Sequence, residues 1–183
     1  MRSLRNTIAS KMEQGFVQIY TGDGKGKTTA ALGLSLRAAG RGLKVFIAQF
    51  AKGIFYGELD ALKRFAPQIT LKQYGRKSFI HDEPTGEDVR LAREGWKEIQ
   101  AVLTSGEFDL LILDEIGIAL HYQLISLEEV TELIRDKPEA VELVLTGRKI
   151  PETLYEQADL VTEMREIKHY YNAGVQARKG IEL

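Results

Sequence analysis

Short apolar runs rich in β-forming residues recur along the chain, separated by segments with a helical pattern. Runs of this kind predict strands, and those that stay apolar predict strands covered on both faces of a sheet. The predicted strands are residues 16–21, 43–50, 69–74, 108–113 and 141–145, with a shorter last run at 160–162.

Helices are predicted between these strands. Residues 28–39 are rich in alanine and leucine and are followed by Gly40 and Gly42, which end helices, while residues 56–66 end before Pro67. Strands that alternate with helices predict an α/β fold with a mostly parallel sheet and helices on both of its faces. In such folds the ligand binds at the carboxyl ends of the strands.

Two later helices carry start signals. Thr85, with Asp88 three residues on, resembles a capping box, and Ser126 with Glu129 forms a complete one. After Thr85, apolar residues recur at spacings of three and four and therefore share one helical face. They are Val89, Ala92, Trp96, Ile99 and Leu103.

Composition narrows the possible chemistry. The chain has no cysteine, which excludes a disulfide scaffold, a thiolate metal site, a cysteine nucleophile and an iron–sulfur cluster. Its 25 basic and 26 acidic residues give a net charge of −1, so nothing indicates a nucleic-acid-binding surface. No apolar stretch approaches the roughly 18 residues of a membrane span, and residues 1–14 lack the apolar core of a secretory signal. We therefore expect a cytoplasmic protein that binds neither nucleic acid nor membrane.

No internal repeat, low-complexity tract or linker divides the 183 residues. We expect residues 1–14 to be an N-terminal extension and residues 15–183 to form a single nucleotide-binding domain.

The most informative motif joins the first predicted strand to the first predicted helix and reads Thr21-Gly-Asp-Gly-Lys-Gly-Lys-Thr-Thr29. Glycines allow a tight turn with inward N–H groups, and the helix start adds partial positive charge, so the segment predicts a phosphate-binding loop. We expect Lys27 to reach phosphate oxygens and the Thr28 hydroxyl to bind Mg²⁺. The first glycine comes one position later than usual, at Gly22.

Two carboxylates, Asp114 and Glu115, end the predicted strand at 108–113, where phosphate-loop proteins place an acidic residue that helps to hold Mg²⁺. They are either both metal ligands or a metal ligand with a base, and a helix N-cap with a solvated acid is the structural alternative. Arg148 follows the strand at 141–145 and could clamp phosphate at the same edge of the sheet, with a plain surface arginine as the alternative. Gln49, Lys52 and Glu58 follow the second strand and could also face the site.

These residues, together with the C-terminal segment, resemble the cob(I)alamin (corrinoid) adenosyltransferases of the CobA/BtuR/CobO type, from about residue 17 to residue 183. The short glycine spacing and the C-terminal segment are the family-specific parts of the resemblance. Besides the glycine loop, the matching segments are Gln49-Phe-Ala-Lys-Gly53, Gly57-Glu58, Leu113-Asp-Glu115, Thr146-Gly-Arg148, Lys168-His-Tyr-Tyr-Asn-Ala-Gly174 and Ala177-Arg-Lys-Gly-Ile-Glu182.

The resemblance implies a three-layer P-loop NTPase-like (RecA-like) fold and a definite reaction. ATP gives its 5′-deoxyadenosyl group to the cobalt of a reduced corrinoid, and triphosphate leaves. Similar proteins bind ATP in the direction opposite to that of common P-loop NTPases, which exposes the ribose C5′. Because the reduced cobalt is itself a strong nucleophile, the protein needs only to position C5′, neutralise the triphosphate and exclude water.

The predicted site residues fall into three groups. Mg²⁺, which Mn²⁺ could replace, would be held by Thr28, Asp114 and Glu115, so that Glu115 is a metal or ribose-side ligand and not a base. The catalytic group is Lys27, Glu115 and Arg148. The residues that bind ATP or the corrinoid are Gly22, Asp23, Gly24, Lys25, Gly26, Lys27, Thr28, Thr29, Lys52 and Phe79.

One segment departs from the family pattern. Relatives carry an aromatic pair, Gly-Phe-x-Trp, whose rings pack beside the corrin and displace its lower ligand. Here the segment reads Gly75-Arg-Lys-Ser-Phe79-Ile80. Either Phe79 does this alone, with Ile80 as a partial substitute, or the corrinoid pocket differs.

The resemblance also implies a homodimer and a reduced flavoprotein as a transient electron donor. Residues 1–14 are either a flexible leader or a lid over the corrinoid site. The main alternative function is a P-loop ATPase or small-molecule kinase that uses Asp114 and Glu115 in the usual way. A nucleotide-binding module without catalysis is the third possibility.

Overall fold

A computed structural model describes residues 12–53, 56–77, 80 and 83–183. Its strands are β1 Val17–Thr21, β2 Val45–Phe50, β3 Ile69–Tyr74, β4 Leu110–Asp114, β5 Glu142–Thr146 and β6 Leu160–Glu163. They form one sheet of six strands in the order β3-β2-β4-β5-β1-β6, and every neighbouring pair is parallel. The predicted α/β class and the six predicted strands are confirmed.

Five α-helices connect the strands in the part of the chain that the structure describes: α1 Lys27–Ala39, α2 Gly57–Lys63, α3 Gly86–Thr104, α4 Ile116–His121 and α5 Leu127–Arg135. Two short 3-10 helices follow, Glu152–Gln157 and Tyr170–Ala173. Both predicted capping boxes are present, at the starts of α3 and α5. Within the described ranges, no helix has the length and apolar character needed to span a membrane.

Side chains of β4 point alternately into two hydrophobic clusters. Leu111 packs in one cluster with Trp96 of α3, and Ile112 packs in the other with Ala31 of α1. All residues of β4 are buried, which explains the uninterrupted apolar run in the sequence. This buried strand carries Asp114 to the carboxyl edge of the sheet.

The strand order determines which residues meet at that edge. β5 lies between β1, which leads into the glycine loop, and β4, which ends in Asp114. β2 pairs with the other side of β4 and places Gln49 opposite Asp114. Because the strands are all parallel, the segments that follow β1, β2, β4 and β5 converge at one edge.

Three details differ from the sequence pattern. α2 is shorter than expected, because residues 64–66 form a turn before Pro67. α4 was not predicted. Val89 is 41% exposed although it fits the apolar stripe of α3. Asp88 is buried in this first turn instead, where it completes the capping box and pairs with Arg76 at 2.7 Å.

Candidate functional site

The glycine loop between β1 and α1 packs directly against the chain that leaves β6. The Gly24 amide donates to the Met164 carbonyl oxygen at 2.6 Å. A Cβ atom would lie 2.6 Å from that oxygen at Gly22 and 2.5 Å from it at Gly24, so neither position accepts a side chain without movement. Gly22 and Gly26 also have φ of +94° and +123°, which favour glycine. The late first glycine therefore has a structural reason in the contact with Met164.

Lys27 begins α1 and folds back over the loop. Its ammonium donates to the carbonyl oxygens of Gly22 at 2.6 Å and Gly24 at 2.8 Å. Burial lowers the pKa of Lys27, although the nearby Glu115 carboxylate opposes this effect. The ammonium therefore lies within the loop, where it could exchange these carbonyl oxygens for phosphate oxygens.

Asp114 accepts hydrogen bonds from four side chains. Its Oδ1 accepts from the hydroxyls of Thr28 at 2.9 Å and Thr146 at 2.7 Å. Its Oδ2 accepts from Gln49 Nε2 at 3.1 Å and from Lys52 Nζ at 2.7 Å. The donors come from α1, β5, β2 and the segment after β2, so this buried carboxylate joins the parts of the site.

Lys52 places a positive charge between two of the predicted metal ligands. Besides its bond to Asp114, its ammonium lies 3.3 Å from the Thr28 hydroxyl and 5.4 Å from the centre of the Tyr56 ring. Burial alone would lower the pKa of Lys52, but the charge and hydrogen bond of Asp114 outweigh it and the pKa is raised. Lys52 is therefore charged and anchored at the centre of the site.

Glu115 occupies the N-cap position of α4 with φ of +60°. Its backbone N–H donates to the Thr146 hydroxyl at 3.1 Å, and its side chain makes no capping hydrogen bond to any described residue. The side chain lines the cavity instead. Burial raises the pKa of Glu115, and the charge of Asp114 raises it further, against the opposing effect of Lys52. The N-cap interpretation is thus right for its backbone position but not for its carboxylate.

Arg148 reaches the cavity from the turn after β5. Its Nη2 donates to the Asp23 carbonyl oxygen at 3.2 Å, and its side chain is 54% exposed. A Cβ atom on the preceding Gly147 would lie 2.7 Å from the Gly117 amide, so the turn fits closely against α4. The turn therefore brings the guanidinium to the glycine loop, where it stays largely exposed.

These elements enclose a cavity of about 830 Å³. Lys27, Lys52, Glu115 and Arg148 contribute to its charged side, while Asp114 lies beneath it. Most of the predicted site residues line it; the rest of the lining is largely apolar or comes from the C-terminal segment. The predicted lining residues are Gly24, Lys25, Gly26, Lys27, Thr28, Thr29, Lys52, Glu58, Glu115 and Arg148.

The predicted role of Phe79 concerns a residue outside the described ranges, as do residues 1–11 of the expected extension. Ile80, its neighbour, lines the cavity, and its carbonyl oxygen accepts from the Tyr122 hydroxyl at 3.4 Å. Tyr122 and Ile118 extend an apolar wall that the sequence did not point to.

Sequence reasoning assigned no individual role to the last residues of the chain. His169 and residues 180–183 line the same cavity. Glu182 bonds to Lys25 of the glycine loop at 2.6 Å. The signal in the sequence was the match of this segment to the family pattern, which suggested that His169 lies near the site but did not identify the contacts of residues 180–183.

A family model and several curated relatives that match this chain all describe the same kind of enzyme, a corrinoid adenosyltransferase. The family model described as ATP:corrinoid adenosyltransferase BtuR/CobO/CobP matches residues 13–183. The corrinoid adenosyltransferase of Escherichia coli K12 is 36% identical over 93% of this chain and 86% of its own length. That of Pseudomonas aeruginosa is 34% identical over 93% and 85%. The corrinoid adenosyltransferase CobA of Salmonella typhimurium is 33% identical over 93% and 86%.

Proposed function

The chain belongs to the ATP:corrinoid adenosyltransferase BtuR/CobO/CobP family, and we propose that it transfers the 5′-deoxyadenosyl group of ATP to the cobalt of a reduced corrinoid. The observation that carries this proposal is the family match across residues 13–183, a range that includes every residue that lines the cavity described above. The family does not favour the alternative of an ATPase or kinase.

The reaction forms one bond and breaks one. The electron pair of the Co(I) centre attacks C5′, the C5′–O bond breaks, and its electrons leave with the triphosphate, so no proton has to be removed. The leaving group carries several negative charges that must be stabilised as they develop. Lys27, Lys25 and Arg148 are the cations that we assign to this task, since the two lysines belong to the glycine-loop motif and Arg148 donates to its Asp23 carbonyl oxygen.

We propose Thr28, Asp114 and Glu115 as the residues that hold Mg²⁺ or Mn²⁺ together with phosphate oxygens. Hydroxyl and carboxylate oxygens suit these cations, and Thr28 Oγ1 lies 2.9 Å from Asp114 Oδ1. Both Asp114 oxygens already accept two hydrogen bonds each, one of them from Lys52. Direct coordination by Asp114 therefore requires Lys52 to move away, whereas coordination through water does not. Such a cation would add positive charge next to the leaving triphosphate.

We assign the corrinoid to the apolar side of the cavity, which Ile80, Ile118 and Tyr122 line. Apolar side chains cannot bind phosphate but can pack against a corrin ring. Phe79 precedes Ile80, and we propose that its ring packs beside the corrin. Residues 1–14 are the proposed lid. A homodimer and a reduced flavoprotein donor, which the family resemblance implies, are part of the proposal. A cytoplasmic location, which is the expectation from the sequence, completes it.

Product analysis tests the proposed reaction. The protein is incubated with Mg-ATP and chemically reduced cobalamin, and phosphate products and corrinoids are separated. We expect tripolyphosphate and a light-sensitive adenosylated corrinoid in equal amounts. Lys27→Ala should lower both on the order of 100-fold or more, because it removes a donor to the leaving group. Lys44→Ala is the matched control, since Lys44 is exposed and precedes β2 at the opposite edge. Orthophosphate released without corrinoid, and no adenosylated product, would contradict the proposal.

A further inference from the structure

The C-terminal segment, residues 165–183, returns to the glycine loop and forms one side of the cavity mouth. Residues 180–183 line the cavity. A Cβ atom on Gly57, the first residue of α2, would lie 3.8 Å from the Leu183 carbonyl oxygen. The segment therefore spans from the glycine loop to α2 across the proposed nucleotide site.

A single carboxylate organises the end of this segment. Glu182 accepts from Arg178 through its backbone N–H at 2.9 Å, Nε at 3.3 Å and Nη2 at 3.2 Å, and from the Tyr170 hydroxyl. The Arg178 guanidinium also lies 4.8 Å from the centre of the Tyr170 ring. These donors hold the pKa of Glu182 well below its usual range. Glu182 is thus a fixed negative charge next to the loop.

Lys25 connects this carboxylate to the glycine loop. Its ammonium donates to Glu182 at 2.6 Å, to the Tyr170 hydroxyl at 3.0 Å and to the Ile181 carbonyl oxygen at 3.2 Å. Each of these acceptors belongs to the C-terminal segment. No described residue of the glycine loop accepts a hydrogen bond from this ammonium, so the C-terminal segment determines where its charge lies.

The charges of this cluster allow Lys25 to be shared with a ligand. Lys25 and Arg178 carry two positive charges against the single negative charge of Glu182. Lys25 can exchange its bond to the Tyr170 hydroxyl or to the Ile181 carbonyl oxygen for a bond to phosphate, while it keeps its bond to Glu182. Glu182 keeps its bonds to Arg178 in either case. Phosphate binding therefore does not require the segment to open.

We propose that Glu182 is a positioning residue for polyphosphate binding, which holds the Lys25 ammonium at the mouth of the glycine loop and thereby seats the C-terminal segment against the nucleotide. This inference depends on the proposed function in one respect, namely that the polyphosphate is the triphosphate of ATP. It assigns Glu182 no contact with the reacting atoms, because the residue acts through Lys25.

A double-mutant cycle on binding tests this role. The dissociation constants of ATP and of tripolyphosphate are measured by calorimetry for the full chain, Lys25→Met, Glu182→Gln and the combination. Glu182→Gln should weaken both ligands about fivefold, since the pair is partly exposed. It should add nothing further in the Lys25→Met background. Tyr170→Phe should have a smaller effect of the same kind. Glu166→Gln, which removes a charge from the same segment but keeps an acceptor for the Asn172 amide, should have none.

Other results overturn the inference. Tighter binding by Glu182→Gln would show that the carboxylate merely repels phosphate. Equal weakening with and without Lys25 would show a purely structural role, as would a matching loss in Glu166→Gln. These measurements need no corrinoid, so failed adenosyl transfer with an intact cycle would refute the proposed reaction and leave the role of Glu182 standing.

Discussion

Replacing Asp114 by asparagine tests the arrangement on which the site depends. Asp114 is 1% exposed, and each of its oxygens accepts two donors. Asparagine has one acceptor oxygen, and its NH₂ group would face either the two hydroxyls or the Gln49 and Lys52 nitrogens. The hydroxyls can rotate to accept, whereas the Lys52 ammonium cannot. The variant therefore leaves Lys52 without its counter-charge.

The expected loss follows from the burial of the pair. Removing one partner of a buried ion pair costs about 3–5 kcal/mol. Lys52 is 12% exposed and borders the cavity, so its ammonium can gain some hydration, and we expect the lower end, about 3 kcal/mol. For a chain of this size, that corresponds to a fall of roughly 6–12 °C in Tm.

Urea denaturation of the nucleotide-free protein measures this loss. Asp109→Asn is the matched control, because Asp109 precedes the same strand and accepts from the Lys44 amide at 2.8 Å at the opposite edge. It should cost about 1 kcal/mol or less. Adding Lys52→Met to Asp114→Asn should recover part of the loss, since it removes the unpaired charge. A cost for Asp114→Asn no larger than that of Asp109→Asn, or a double variant as unstable as the sum of the singles, would refute this reasoning.

The remaining predictions concern the loop, the second carboxylate and the corrinoid side. Gly24→Ala should lower the free energy of unfolding by about 2 kcal/mol, because its Cβ would clash with the Met164 carbonyl oxygen. Gly33→Ala is the control inside α1, where nothing lies within 4 Å of the added Cβ, and it should raise the free energy of unfolding by up to about 1 kcal/mol in the same urea titration. The pKa of Glu115 is raised above its usual 4.5, so ionisation of Glu115 destabilises the folded free protein. Glu115→Gln should therefore raise Tm at pH values above 4.5, and the gain in Tm should disappear below pH 4.5. Phe79→Ala should slow corrinoid turnover while calorimetry shows unchanged ATP affinity.

Each of these predictions can fail. Equal stability of Gly24→Ala and wild type would mean that the loop does not rest on Met164. A lower Tm for Glu115→Gln near neutral pH would mean that the carboxylate has a stabilising partner. Loss of ATP binding in Phe79→Ala would place that ring on the nucleotide side.

The sequence predicted the strands and capped helices well, because their signals are local. β4 is buried along its length and appears as an apolar run, and Ser126 with Glu129 marks the start of α5 directly. The sequence did not predict α4, because this helix has only six residues, four of them buried. Its N-cap residue, Glu115, has a left-handed backbone conformation and makes no side-chain cap with any described residue. A helix this short has no amphipathic period to detect.

The contacts within the site were harder to predict because they depend on the strand order. Asp114 and Lys52 are 62 residues apart and meet because β2 lies beside β4, which the sequence did not specify. Lys25 and Glu182 are 157 residues apart, and the C-terminal segment that contains Glu182 has no periodic pattern of apolar residues that would predict its position. Residue types and strand ends were therefore predictable, whereas the partners of each side chain were not.

The fate of the ATP carbon C5′ tests the central claim most directly. ATP labelled with ¹³C at C5′ is mixed with the protein, Mg²⁺ and chemically reduced cobalamin, and carbon NMR follows the label in the dark and after illumination. Adenosyl transfer predicts that the label moves onto cobalt as a methylene carbon, with one tripolyphosphate released, and that light removes it. A label that stays attached to oxygen in ADP or ATP, while orthophosphate accumulates, would contradict the account.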